Sequence, residues 1–166
     1  MALTNAQKTA LKTQALLDAT ASTYINNGDD ISLAAWFNQL TTTDAWRQNM
    51  PWTDFFENMD GAEYQARSQG ERDYLRELRE SGPINMAKGK IRTAIKAAFS
   101  GSVARTVATR NALWTAGTEK ATRAEVILGG TNATEDAVTA LRRSEILSSN
   151  GVGTITYSIA SDIRTV

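Results

Sequence analysis

Along most of this chain, apolar residues recur at three- and four-residue spacing, the period of a helix with one buried face. Leu3, Ala6, Ala10 and Leu17 predict a first helix over roughly residues 5–20. Thr4-x-x-Gln7 opens it as a capping box, in which hydroxyl and amide satisfy orphan N–H groups. Asn26-Asn27-Gly28 breaks the pattern, because Asn and Gly tolerate positive φ. Asp29 or Asp30 then caps a second helix carrying Leu33, Trp36, Phe37 and Leu40. Thr41-Thr42-Thr43 interrupts, and a short turn from Trp46 stops at Met50-Pro51.

Ser68-x-x-Glu71, a second capping box, opens a charged helix with Tyr74, Leu75 and Leu78 on its apolar side; Ser81-Gly82-Pro83 ends it. Ile84, Ala87, Ile91, Ile95 and Ala98 mark the next helix, which Ser100-Gly101 closes. Ser102 caps the longest predicted helix, striped by Val103, Val107, Trp114, Ala121, Ala124 and Leu128 and closed by Gly129-Gly130. Thr134 caps a short helix to about Leu147, with Glu135 and Asp136 in its first turn, where the helix dipole favours anions.

Ser148 to Gly153 reads as a glycine hinge. Beyond it Ile155, Tyr157, Ile159 and Ile163 alternate with polar residues, and period two predicts a strand or extended arm. A helical face through Ile155, Ile159 and Ile163 is the alternative. The expected fold is therefore all-α. It is a bundle of about five to six helices over residues 1–149, followed by a C-terminal extended arm or short strand over 150–166. No internal repeat or low-complexity tract interrupts this plan.

The 166 residues are 42% hydrophobic, enough for one domain with a sizeable core. Cysteine and histidine are absent, which excludes disulfides, thiolate nucleophiles, Ser-His-Asp triads and His/Cys zinc sites. Apolar runs are too short to cross a membrane, and the N-terminus lacks a signal-peptide pattern. Seven of the twelve aromatics fall within residues 36–64; they suit either a core built among alanines or a binding surface, the core being the reading adopted.

Net charge is zero but uneven. Residues 1–60 hold three Lys/Arg against seven Asp/Glu, whereas residues 61–130 hold twelve against seven. No acidic residue occurs between Glu80 and Glu119, a gap that contains Lys88, Lys90, Arg92, Lys96, Arg105 and Arg110. Such a segment is a candidate contact for nucleic acid or an acidic protein surface, against the plain alternative of a solvated face balanced by the acidic first third. Lys88, Arg92 and Lys96 fall at i, i+4 and i+8, on one helix face.

Catalytic signatures are missing. Gly129-Gly130 and Gly151-Val-Gly153 lack the lysine and the strand-to-helix context of a phosphate loop. No calcium loop is present, and Asp29-Asp30 and Glu135-Asp136 read as helix caps. Glycosidase chemistry needs only two carboxylates at a set separation, and Glu57, Asp60 and Glu63 are the nearest candidates. The expectation is a protein that is not an enzyme and uses no cofactor or metal.

Met1-Ala-Leu-Thr-Asn-Ala-Gln-Lys-Thr-Ala-Leu-Lys12 resembles the opening of a group of small structural proteins of tailed bacteriophages. Ile91-Arg-Thr-Ala-Ile-Lys-Ala-Ala-Phe-Ser-Gly101 is similar to that group's helix ending in Phe/Trp-x-Gly. Lys120-Ala-Thr-Arg-Ala-Glu-Val-Ile-Leu-Gly-Gly-Thr-Asn-Ala133 and Gly153-Thr-Ile-Thr-Tyr157 complete the likeness, which departs in residues 36–80 and 135–147.

The resemblance implies a virion structural protein, similar in plan to head–tail adaptors that form a dodecameric ring under the portal. It implies a twelve-fold homo-oligomer in the neck, assembled in the host bacterial cytoplasm and bound to the portal and to tail or stopper proteins. Packaged DNA would pass the basic residues non-specifically, no membrane would be involved, and Ile155, Tyr157, Ile159 and Ile163 would form a docking arm. The alternatives are a capsid-decorating or tail-completion protein, a nucleic-acid-binding module, or a carboxylate-based lytic enzyme.

Overall fold

A computed structural model describes residues 3–129, 132–143 and 154–166. Ten helices and four strands form among the described residues, so the fold is mixed α/β and the all-α expectation is corrected. The helices are α1 (Asn5–Leu17), α2 (Ala19–Asn27), α3 (Asp30–Asn38), α4 (Trp52–Glu57), α5 (Gly61–Gln65), α6 (Gln69–Glu80), α7 (Gly89–Ala98), α8 (Ala104–Ala116), α9 (Arg123–Leu128) and α10 (Tyr157–Thr165). The strands are β1 (Leu40–Trp46), β2 (Thr118–Thr122), β3 (Asn132–Glu135) and β4 (Val138–Leu141), ordered β2-β1-β4-β3 in one mixed sheet.

The chain divides into two compact units. One comprises Met1–Thr43, Lys120–Thr131 and Leu141–Val166; the other comprises Asp44–Glu119 and Asn132–Ala140.

In the first unit the Thr4 capping box forms, with Gln7 N–H donating to the Thr4 hydroxyl at 3.3 Å. Asp18 stops α1 and accepts from Thr20 and Ala21 N–H at 3.0 Å, so the predicted first helix becomes two. Gly28 ends α2 at φ +68°, and Asp29 caps α3 through Ser32 N–H. Leu11, Ala15, Leu33, Phe37, Ile155, Ala160 and Ile163 form the core, where α1, α3 and α10 meet.

The C-terminal residues are thus helix, not an extended arm. Thr156 caps α10, and one face carries Ile159 and Ile163 into the apolar cluster; Tyr157 stays 68% exposed. Asn38 fixes the entry to this helix, accepting from Ile155 N–H at 2.7 Å and donating to the Ile155 carbonyl at 2.8 Å. Period two was the wrong period because α3 and α1 offer a helical seam to cover, whereas a strand would need a free sheet edge.

Gly129 ends α9 where a Cβ would collide with the Glu125 carbonyl oxygen and a Leu141 methyl. Its role there is close approach.

In the second unit Trp46, Met50, Phe55, Leu75, Met86, Ile95, Phe99, Leu113 and Trp114 form the core. Trp46 and Trp114 meet edge to face at 6.2 Å, and the Trp46 indole donates to the Ala133 carbonyl at 3.3 Å. The Ser68 capping box opens α6 as expected.

Three further expectations are corrected. Residues 40–46, read as a helix end and interruption, form β1, whose β-branched threonines suit a pleated surface. The predicted long helix after Ser102 breaks at Gly117 into α8, β2 and α9. The predicted helix after Thr134 begins as a β3–β4 hairpin turning at Asp136, whose φ is +48°; its far end to Leu147 lies partly outside the described residues, as does the hinge at 148–153.

Candidate functional site

The six basic residues of the acid-free segment divide by environment. Arg92, on α7, is 2% exposed and lies 4.7 Å from the Trp46 ring centre. Its guanidinium donates to the carbonyls of Met86 at 2.6 Å and Ala87 at 3.1 Å and to the Glu135 carboxylate at 3.1 Å. Arg110, on α8, is 6% exposed and donates to the carbonyls of Phe99 at 2.7 Å and Gly101 at 2.8 Å and to both Asp136 oxygens. Lys96 lies 3.7 Å from Glu135 and from Asp136.

Two carboxylates at the hairpin tip therefore meet three cations from α7 and α8. The Trp114 indole N–H adds a bond to Asp136 at 2.8 Å. Together with Lys96, these donors hold the Asp136 carboxyl down to about 2, the Arg110 guanidinium being the chief cause. Both buried guanidiniums thus have a carboxylate partner, as burial of charge requires.

Arg105 forms a bidentate pair with Asp60 at 2.8 Å on both arms, and this pair lowers Asp60 to about 2 while raising Arg105. Lys88 and Lys90 remain exposed at the start of α7 without an ion-pair partner among the described residues; no side chain caps that helix end. Lys88, Arg92 and Lys96 do share a helix face. Yet the middle one is buried, so the face is not a continuous basic stripe.

The carboxylates near the aromatic cluster are also committed to the fold. Asp60 caps α5 through Ala62 and Glu63 N–H. Glu63, 8% exposed, accepts from the Thr106 hydroxyl at 2.8 Å and from Arg67 at 3.2 Å. Glu57 is exposed on α4. The aromatics of residues 36–64 mostly pack inward: Trp36, Phe37, Trp46 and Phe55 are buried, and Trp52 stacks on Phe55 at 4.6 Å, leaving Phe56 41% exposed.

Of the arm residues, Ile155 and Ile163 are buried, Ile159 is half-buried, and Tyr157 alone faces outward. Among the described residues, no cluster of acidic side chains is arranged to hold a metal ion, and no helix is long and apolar enough to cross a membrane.

A second feature, not signalled by sequence spacing, lies in the first unit. An open groove of about 280 Å³ is lined by Leu17, Asp18, Trp36, Thr41, Arg123 and Val126. The Arg123 guanidinium lies 4.5 Å from the Trp36 ring centre and 3.5 Å from Asp18. The stack joins residues far apart in the chain, beyond the reach of any local pattern.

Comparison with family models, with curated protein sequences and with solved structures finds no match to this chain.

Proposed function

We propose that this chain is a structural component of a tailed phage particle, a head–tail adaptor that forms a ring between portal and tail. Its place would be the virion neck, reached after assembly in the host cytoplasm, with portal and tail or stopper proteins as neighbours. The four sequence stretches that resemble small phage structural proteins support this reading.

The observation behind it is the use of charge. Asp60 serves as a helix cap and Glu63 as a buried strut, while Arg92 and Arg110 are locked onto the hairpin tip through Glu135 and Asp136. Side chains of the types that could do chemistry thus hold the fold together, which suits a protein whose work is assembly.

A contact with packaged DNA narrows to Lys88 and Lys90, the exposed cations at the start of α7. Repeated around a ring, that small charge would be multiplied and salt-sensitive.

The test is co-expression with the portal protein of the same particle, followed by mass measurement and by labelling of intact virions. A ring bound to portal, with label at the neck, is the expected result. Label spread over the capsid shell, or absence from the particle, would overturn the proposal.

A further inference from the structure

Two exposed apolar side chains gather at the groove of the first unit. Leu17 is 77% exposed and Val126 40% exposed, and both line it. Helical spacing makes the patch continuous, since Arg123, Val126 and Ile127 fall at i, i+3 and i+4 on α9. Exposed apolar residues gathered round a groove mark an interaction surface.

Charge indicates the occupant. The patch carries one carboxylate, Asp18, and one guanidinium, Arg123, each roughly one-third exposed at 37% and 34%. A surface with one charge of each sign and an apolar rim is complementary to itself: a two-fold axis sets each Arg123, already 3.5 Å from its own Asp18, against the other copy's Asp18 as well, and each Leu17 toward the other groove.

We propose that this groove is a self-association face, on which a second copy of the chain docks isologously through Leu17, Val126 and the Asp18–Arg123 pair. The pairing belongs to the free chain and does not rest on the adaptor reading, because a cyclic ring joins two different faces of each subunit.

The test measures the mass of the full chain in solution across a concentration series. A dimer of twice the 18.0 kDa chain mass is expected. Leu17→Lys sets a new cation toward Arg123 of the other copy, and Arg123→Glu sets a new anion toward Asp18. Each should weaken dimerisation at least tenfold, with unchanged circular dichroism. Mixing the two variants should recover part of the lost affinity, because the added Lys then faces the added Glu at one of the two contacts. A chain that is monomeric at every concentration overturns the proposal and leaves the groove to another protein. A dimer or larger assembly that survives Leu17→Lys overturns it as well.

Discussion

In the first unit the apolar faces of α1, α3 and α10 meet directly, through Leu11, Leu33, Phe37, Ala160 and Ile163. Ion pairs between its helices lie toward the rim, as in Lys8–Asp162, Asp30–Arg164 and Asp18–Arg123, while one pair, Glu125–Arg143 at 2.7 Å, is buried beside α9. In the second unit two whole guanidiniums enter the interior: Arg92 and Arg110 are almost fully buried and hold the β3–β4 hairpin through Glu135 and Asp136. The difference lies in what a single deletion leaves behind. Removing an apolar side chain leaves a cavity, whereas removing a buried guanidinium takes a donor from two carbonyls and the nearest cation from a carboxylate.

The largest expected effects are therefore in the two interiors, and they differ in what can rescue them. Arg110→Ala should cost about 3–5 kcal/mol in urea unfolding, since the carbonyls of Phe99 and Gly101 lose this donor while Asp136 loses its chief cation. A cost below about 1 kcal/mol would show that the network does not hold the hairpin.

Phe37→Ala should cost a similar amount, about 3–5 kcal/mol, by cavity formation, and Phe37→Leu much less, because an apolar core tolerates volume-conserving exchange. Arg110→Met should give no such rescue. That contrast sharpens the comparison.

Acid probes the same buried network. Asp136 has its pKa depressed from 3.8 to about 2, so its stabilisation is present above the ordinary value and lost as pH falls through about 2. The near-ultraviolet signal of Trp46 and Trp114 should weaken over that window. Asp136→Asn, which keeps a residue tolerant of positive φ, should flatten the dependence.

The smallest effect is expected at the rim of the first unit. Arg164→Ala removes a pair with Asp30 at 2.7 Å that stands in contact with solvent, and it should barely move the urea midpoint. A loss as large as that of Arg110→Ala would erase the distinction between the units.

Local features were legible in the residues alone. The capping boxes at Thr4 and Ser68, the Asp29 cap and the stop at Gly28 each involve groups within four residues of one another. The absence of His and Cys likewise bounded the chemistry without a structure. Other features had to wait for distant partners. Thr41 to Thr43 became strand because β2 and β4 pair on either side of β1, and those partners lie about 80 to 100 residues away. Glu135 and Asp136 carried a helix-cap pattern, yet Arg92 and Arg110 drew them to a hairpin tip. Ile155, Ile159 and Ile163 fitted either period until α3 and α1 supplied a seam that only a helix could fill. Caps are satisfied within one turn of chain, whereas strand pairing, buried ion pairs and the choice of covered face depend on partners that folding brings from a distance.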